Sequence, residues 1–200
     1  MFTGDLLDRR RGGTKAGLEL LERLAKTAPV YYVTGNHEGW AGNFDRLRPQ
    51  LEKRQVQVLS NTHDRFCRGK DKIYILGIDD PAIQSKFYRQ SELVTTELQA
   101  ALEGTDGFTI LLAHRPELIE TYSQFGIDLV FSGHAHGGQI RLPFIGGLVA
   151  PGQGFLPRYT AGLYTHGSSV LAVSRGLGNS LFPQRLFNRP EIVVVTLNCP

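Results

Sequence analysis

Side chains that can ligate a metal or move a proton follow four predicted strands of this chain, and three of the four groups stand beside glycines. In chain order the groups are Asp5 and Asp8, then Asn36, His37 and Glu38, then His114, and finally His134 and His136. Taken singly, each has an ordinary structural explanation, since aspartate and asparagine are common turn residues. The carboxyl ends of the strands of an open α/β sheet share one edge, however, and ligands bind there. We therefore expect these side chains to converge on a single site.

The donor set predicts what such a site could do. Carboxylate and amide oxygens together with imidazole nitrogens are ligands for Mn, Fe, Zn, Co or Ni, rather than for Cu(I) or an iron–sulfur cluster. Two such ions about 3.5 to 4 Å apart can clamp a phosphoryl group and lower the pKa of a shared water toward neutrality. A positioned histidine is the usual acid for a departing oxygen. The residues thus suit metal-assisted cleavage of a phosphate ester.

Short apolar runs alternate with amphipathic segments along the chain. Strands are predicted at Val30–Val33, Val56–Leu59, Ile73–Ile78, Phe108–Ala113, Leu129–Ser132, Val170–Ser174 and Ile192–Leu197. Helices are predicted around Leu18, Leu21, Leu24 and Ala25, and at Phe44–Lys53, Ser91–Glu103 and Glu117–Phe125. Strands that alternate with helices indicate an α/β sheet covered on both faces. Without an internal repeat or a low-complexity linker, the pattern favours one domain.

The segment 142–167 departs from this alternation. It holds several Gly and Pro residues, many apolar and aromatic residues, and a single formal charge at Arg158. One interpretation is a long loop that packs on the domain through its own side chains. The other is an apolar rim beside the active site that meets lipid or a membrane surface, because large exposed apolar patches usually contact something.

Composition excludes several classes of protein. Of the 200 residues, 41% are hydrophobic and 20% charged, which is ordinary for a globular chain. The net charge of +3 is too small to indicate a nucleic-acid partner, and we expect none. Cys67 and Cys199 lie far apart and form no CxxC motif, so a disulfide scaffold is not expected. No apolar run reaches the roughly 18 residues of a spanning helix, and we expect a cytoplasmic protein or one peripheral to a membrane.

The motifs Gly4-Asp5-Leu6-Leu7-Asp8, Gly35-Asn36-His37-Glu38 and Gly133-His134-Ala135-His136, with His114 after its strand, resemble the calcineurin-like metallophosphoesterase superfamily. Three further segments, 112–117, 136–140 and 174–178, resemble its bacterial phosphodiesterase-type branch. The resemblance runs through nearly the whole chain. It implies an α/β fold of four layers, an α/β/β/α sandwich of the metallophosphoesterase type, with two divalent metal ions at the sheet edge.

The resemblance also implies roles for individual residues. Asp5 resembles the carboxylate that bridges the two metals, and Asn36, His114 and His134 resemble the other ligands of the second metal. His136 resembles a ligand of the first metal. His37 resembles the histidine that protonates the departing oxygen. The family does not assign such a role to Asp8, which we interpret as a helix-terminus carboxylate, and Arg115 could touch phosphate or be solvated.

The chain departs from the family pattern at its amino terminus. That pattern begins with a strand followed by Asp-x-His, whereas this chain opens inside the next strand. We therefore expect residues 1–200 to be one calcineurin-like domain that is incomplete at its N-terminus. The first metal would keep only Asp5 and His136, so that the chain by itself would bind about one metal.

The function implied is hydrolysis of phosphate esters by attack of a metal-bound hydroxide on phosphorus, and we expect diesters rather than monoesters to be the substrates. The apolar segment 142–167 adds lipid-linked or cell-envelope esters to the expected substrates. The arginine run at residues 9–11 could attract an anionic substrate or headgroup, although a solvated turn is the simpler interpretation. The alternative function is a catalytically impaired module that binds metal or lies at a membrane surface.

Overall fold

The computed structural model describes residues 1–8, 13–84, 89–179 and 184–198. Its α-helices are α1 (Thr14–Ala25), α2 (Asn36–Ala41), α3 (Phe44–Glu52), α4 (Gln90–Leu102) and α5 (Ile119–Ser123), with 3-10 turns at Pro116–Leu118 and His136–Gly138. Its strands are β1 (Val30–Tyr32), β2 (Val56–Val58), β3 (Thr62–Arg68), β4 (Asp71–Gly77), β5 (Phe108–Leu112), β6 (Leu129–Ser132), β7 (Arg141–Leu142), β8 (Gly146–Gly147), β9 (Val149–Ala150), β10 (Gly154–Phe155), β11 (Gly162–His166) and β12 (Ser169–Val173). The arginine run at 9–11 and Cys199 lie outside the described residues.

Two sheets carry the fold. The larger has the strand order β11-β12-β6-β5-β4-β3, with four parallel strands in the middle and an antiparallel strand at each edge. The smaller pairs β1 with β2 in parallel. Phe2 extends the smaller sheet, because its N–H donates to the Tyr31 carbonyl and its carbonyl accepts from Val33 N–H. Within each sheet the parallel strands therefore end on one side, whereas the antiparallel edge strands β3 and β11 end on the other.

Three buried clusters separate four layers. The first packs Leu18 and Leu21 of α1 and Leu47 and Leu51 of α3 against one face of the smaller sheet. The second lies between the sheets and is formed by Tyr31, Val33, Leu59, Ile75 and Leu112. The third packs Val94, Leu98, Ile119 and Tyr122 against Leu76, Leu111 and Val130 on the far face of the larger sheet. Neighbours such as Leu111 and Leu112 face opposite sides because side chains alternate along a strand. The predicted α/β/β/α layering is confirmed.

Helix spacing explains how the outer layers form. In α4 the buried residues Val94, Leu98 and Ala101 recur at intervals of one helical turn, which places them on one stripe. Leu47 and Leu51 do the same in α3. The helices predicted from the sequence are confirmed, with bounds that differ by at most one residue where bounds were predicted, except that 117–125 is divided between a 3-10 turn and α5.

The structure differs from the predicted elements in three places. Residues 192–197 form no strand, although the sequence predicts one. The edge strand β3 was not predicted, since Thr62–Arg68 is largely polar. The segment 142–167 is not one irregular loop, because it contains two short hairpins, β7–β8 and β9–β10, and the edge strand β11.

Candidate metal centre

Three ligating side chains meet at the shared edge of the two sheets. Asp5 follows the Phe2 bridge, His114 follows β5 and His134 follows β6. One donor atom of each lies within 4.8 Å of the others, and both histidines are buried. Asp5 Oδ2 lies 3.2 Å from His114 Nε2, and His134 Nδ1 lies 3.0 Å from the same nitrogen. The strand ends of the α/β sheet predicted from the sequence share one side, and this brings the three side chains together.

Asn36 joins this group from the first residue of α2. Its Oδ1 lies 2.9 Å from His114 Nε2, and its side chain is buried. Helix α2 begins there because the Glu38 carboxylate accepts the Gly35 N–H at 2.7 Å. This is one of the two hydrogen bonds of a capping box. Oxygen donors from Asp5 and Asn36 and nitrogen donors from two histidines therefore surround one point.

A hydrogen bond fixes which nitrogen of His114 faces that point. His114 Nδ1 lies 2.5 Å from the Thr3 carbonyl oxygen, which can only accept, so Nδ1 carries a proton and donates it. In the neutral ring Nε2 then presents a lone pair toward two oxygens and the other imidazole. Ligating histidines commonly donate their second nitrogen to a carbonyl in this way. A divalent cation among these donors would offset the repulsion between their lone pairs, so the residues fit a divalent metal.

The charges of the site agree with this reading. Burial acts to lower the pKa of His114, but the negative charge and hydrogen bond of Asp5 outweigh it and raise the pKa to about 9. Burial likewise acts to raise the pKa of Asp5, and His114 together with the His37 N–H holds it below its usual range. Burial and the His114 charge lower the pKa of His134 to about 2, which keeps its ring neutral. The site favours one positive charge at its centre.

Close packing of two loops sets the position of Asp5. A Cβ on Gly4 would collide with the Gly35 backbone, and a Cβ on Gly35 would collide with the Asp5 carboxylate. Gly4 has φ 93° and Asp5 has φ 56°, in the left-handed region where glycine is favoured and aspartate is tolerated. His134 also lies there, at φ 61°. Backbone strain of this kind clusters at functional sites.

Glu38 ties the same two loops together. Besides the Gly35 N–H, its buried carboxylate accepts the Asp5 N–H at 2.9 Å and the Leu7 N–H at 3.3 Å. Burial, followed by the Asp5 charge, raises the pKa of Glu38. The sequence motif contained this residue, but its contacts with a segment 31 to 33 residues away required the structure. Glu38 therefore positions Asp5 and Asn36 rather than joining the ligands.

Gly35→Ala is expected to distort the site without unfolding the domain. The new methyl group would displace the Asp5 carboxylate, so we expect metal affinity to fall at least about tenfold. Tenfold is the lower end of the loss caused by removing a residue that holds a metal ligand in place. Isothermal titration calorimetry with Mn²⁺ or Zn²⁺ measures the affinity. Gly178→Ala is the matched control, since a Cβ there meets nothing within 4 Å. Equal affinities for the two variants would contradict the packing argument.

Arg115 is held inside the domain. Its Nε and Nη2 donate to the Asp80 carboxylate at 2.8 and 3.0 Å, and the Asp80 side chain is fully buried. Neither sequence interpretation of Arg115, phosphate contact or solvation, describes this arrangement. Asp80 N–H donates to Thr34 Oγ1, two residues before Asn36. The pair thus couples the loop after His114 to the loop that carries Asn36.

Behind that pair lies a cluster of buried acids that the sequence analysis missed. Asp79 accepts from Thr34 and Ser60, and Glu97 of α4 accepts from Gln84 Nε2 at 2.9 Å. Burial, followed by the charges of Asp79 and Asp80, raises the pKa of Glu97 from 4.5 to about 8. Glu97 is therefore protonated in the folded protein at neutral pH.

Glu97→Gln is expected to stabilise the protein as pH rises. Between pH 4.5 and about 8 the unfolded chain releases a proton that folded Glu97 retains, so wild-type stability falls across this interval. Glutamine does not titrate. We expect its Tm to exceed that of the wild type near pH 8 by at least about 2 to 4 °C, the effect of about 1 kcal/mol in a chain of this size. Glu103→Gln, at the exposed end of α4, is the control. A constant Tm difference from pH 5 to about 8 would contradict the assignment.

The remaining predicted residues occupy different places. His136 is on the 3-10 turn after His134 and is not within the 4.8 Å group; burial lowers its pKa to about 4, so its ring is neutral. His37 donates its backbone N–H to Asp5 Oδ1 at 2.9 Å, and its ring lies 5.3 Å from that of Trp40. Asp8 precedes α1 by several residues and is not at its terminus, so that interpretation was wrong. The roles of His136 and His37 stay predictions.

A four-layer sandwich with a cluster of Asp, Asn and His at the ends of its parallel strands is the architecture of a metallophosphoesterase. The sequence model of the calcineurin-like phosphoesterases matches residues 1–138, and the chain belongs to this family. The motif-based resemblance is thereby confirmed; the family is one of phosphoric ester hydrolases that use divalent metals.

Individual relatives agree. The chain is 32% identical to the metallophosphoesterase YkuE of Bacillus subtilis over 98% of its own length and 66% of YkuE. It is 31% identical to the phosphodiesterase YaeI of Escherichia coli over 90% of its own length and 62% of YaeI. The chain thus spans about two thirds of the length of these relatives. The sulfate thiohydrolase SoxB of Thermus thermophilus shares the fold, with a TM-score of 0.50 and 14% identity over 80% of this chain and 30% of that one.

Proposed function

We propose that this protein hydrolyses phosphodiesters with a divalent metal held by Asp5, Asn36, His114 and His134. The observation that carries the proposal is the convergence of the other three donors on His114 Nε2, whose ring is oriented by the Thr3 carbonyl. The ion held by those four residues is the second metal of the family pattern, and Asp5 and His136 are the residues we assign to the first metal, as the resemblance implies.

A bound ion would supply Lewis acidity toward phosphoryl oxygens and would lower the pKa of water. The chain's own groups do the rest. The Asp5 carboxylate holds negative charge at the centre, and Glu38 and the two close-packed glycines fix its position. His37 is the second residue of α2 and lies beside Asp5, where its imidazole can deliver a proton to a departing oxygen. Buried His134 stays neutral and so keeps its lone pair for ligation.

Two observations support diesters, and lipid-linked or cell-envelope diesters in particular. The relative YaeI is called a phosphodiesterase. The loops that follow His136 expose large apolar side chains, among them Phe144 and Phe155. A substrate with an acyl portion would find apolar contacts on the loops that directly follow the ligand loop of His134 and His136 in the chain. We keep the cytoplasmic location as a prediction; in the described ranges no helix is long and apolar enough to cross a membrane.

The test is turnover by the full protein loaded with Mn²⁺, Fe²⁺, Zn²⁺, Co²⁺ or Ni²⁺. We expect bis(p-nitrophenyl) phosphate to be hydrolysed faster than p-nitrophenyl phosphate, with activity lost on chelation and restored by metal. Elemental analysis of the same sample measures the ion content. Bound metal with no turnover of either ester would overturn the proposal and favour the alternative, a module that binds metal without catalysis. A panel of glycerophosphodiesters and lipid-linked pyrophosphates then tests the substrate class.

A further inference from the structure

The two hairpins that follow the metal ligands carry large apolar side chains into solvent. Phe144, at the turn between β7 and β8, is fully exposed, and Ile145 beside it is 61% exposed. In the second hairpin Phe155 is 72% exposed and is followed by exposed Leu156. A third segment brings Phe187, which is 78% exposed. Monomeric proteins rarely leave so many large apolar groups uncovered in one region.

Backbone hydrogen bonds join these three segments into one unit. Leu148 N–H donates to the Ile140 carbonyl at 2.9 Å, and Leu156 N–H donates to the Leu148 carbonyl at 2.8 Å. Arg141 N–H donates to the Leu186 carbonyl at 3.0 Å. We call the exposed residues of these segments, Phe144, Ile145, Phe155, Leu156 and Phe187, the apolar tips. They are held in place relative to one another.

The unit is continuous with the metal centre. Leu148 N–H donates to the Gly138 carbonyl, at the end of the 3-10 turn that begins with His136. Asn188, next to Phe187, donates from Nδ2 to the His136 carbonyl at 2.7 Å. Gly152, between β9 and β10, packs against the Glu117 carboxylate, which lies 3.9 Å from His134 Nε2. These contacts connect the segments that carry the apolar tips to the residues around the metal centre.

Charge indicates the kind of partner. From residue 129 to residue 190 the sequence contains no Asp or Glu, while it contains five arginines, at 141, 158, 175, 185 and 189. Glu191 neutralises Arg175 across 3.3 Å. The apolar tips therefore lie in a segment with an excess of positive charge. Such a segment is attracted to the anionic headgroups of a membrane.

The shape of the tips also favours a membrane over a protein partner. Phe144 is fully exposed and does not line a groove. It lies on a short turn with Pro143 before it and with Ile145 and two glycines after it. Protruding apolar side chains can enter the boundary between headgroups and acyl chains without matching a shape. From these observations we infer that the apolar tips dock this protein on an anionic lipid bilayer and bring the metal centre to the lipid surface.

The experiment is vesicle flotation with the full protein, and it needs neither metal nor substrate, so it is independent of hydrolysis. Vesicles contain phosphatidylcholine alone or phosphatidylcholine with phosphatidylglycerol. We expect binding to the anionic vesicles, and at least about tenfold weaker binding by Phe144→Ser combined with Ile145→Ser, because burial of two such side chains is lost. Phe66→Ser is the matched control, since Phe66 is half exposed on β3 at the opposite edge of the sheet.

A second measurement guards against a variant that misfolds. Phe144→Trp is expected to show tryptophan emission quenched by brominated lipid, and Phe66→Trp is expected to show none beyond the background of the native Trp40. The inference would be overturned by any of three results: no quenching at position 144, equal flotation of the serine variants, or equal binding to neutral and anionic vesicles. It would also be overturned if the wild type bound no vesicles but self-associated, and if the double serine variant abolished that self-association. The tips would then contact a second copy of the protein.

Discussion

Asp5→Asn should lose bound metal and hydrolysis together. The substitution keeps the size of the side chain and its contact with the His37 N–H, but removes the only carboxylate within the 4.8 Å group. The remaining donors, Asn36 and two neutral imidazoles, would have no negative charge to offset that of a divalent ion. Loss of a residue that only hydrogen-bonds to a ligand costs about 10- to 100-fold in metal affinity, and we expect loss of the ligand's own charge to cost more.

Asp71→Asn provides the matched control, because Asp71 is an exposed aspartate at the start of β4, remote from the sheet edge that carries the site. Elemental analysis after dialysis measures bound metal, and turnover of bis(p-nitrophenyl) phosphate measures activity. Circular dichroism of both variants reports folding. If Asp5→Asn retained a full complement of metal, the carboxylate would not be a ligand, and the bridging role carried over from the family would be wrong.

The sequence predicted the site's location for a topological reason. Parallel strands end on one side, so side chains at their carboxyl ends lie along one side of the sheet, where ligands bind. The structure brings together Asp5, Asn36, His114 and His134 in this way. The supporting contacts were not predictable by the same argument. The Arg115–Asp80 pair and the bonds from Glu38 to the Asp5 loop join residues more than 30 positions apart, and their geometry depends on how the two sheets pack.

The errors in the fold have a common cause. Residues 192–197 have the β-branched composition of a strand, but β propensity mainly reflects packing and pairing with neighbouring strands, and the described part of the chain provides no pairing for them. The opposite holds for β3, whose polar sequence forms an edge strand because β4 pairs with it along seven residues. Strand β11 is supported by β12 in the same way. At the edges of a sheet, pairing outweighs local preference.

His37→Ala is expected to separate metal binding from catalysis. The ring is not needed to hold the Asp5 carboxylate, because that contact is made by the backbone N–H of residue 37, which alanine retains. Metal content should therefore match the wild type. Turnover should fall about 10²- to 10⁴-fold for diesters with alkoxide leaving groups, the usual contribution of a positioned general acid.

The dependence on the leaving group distinguishes proton delivery from a merely structural effect. A p-nitrophenolate departs without a proton, so bis(p-nitrophenyl) phosphate should lose far less activity in His37→Ala than an alkyl diester does. His166→Ala, at the end of the edge strand β11, removes an imidazole from outside the metal group and should leave both rates unchanged. An equal loss for the two substrates would show that His37 shapes the site through its packing on Trp40 rather than by protonating the departing oxygen. A loss confined to poor leaving groups would identify the imidazole as the acid, because only those groups need the proton to depart.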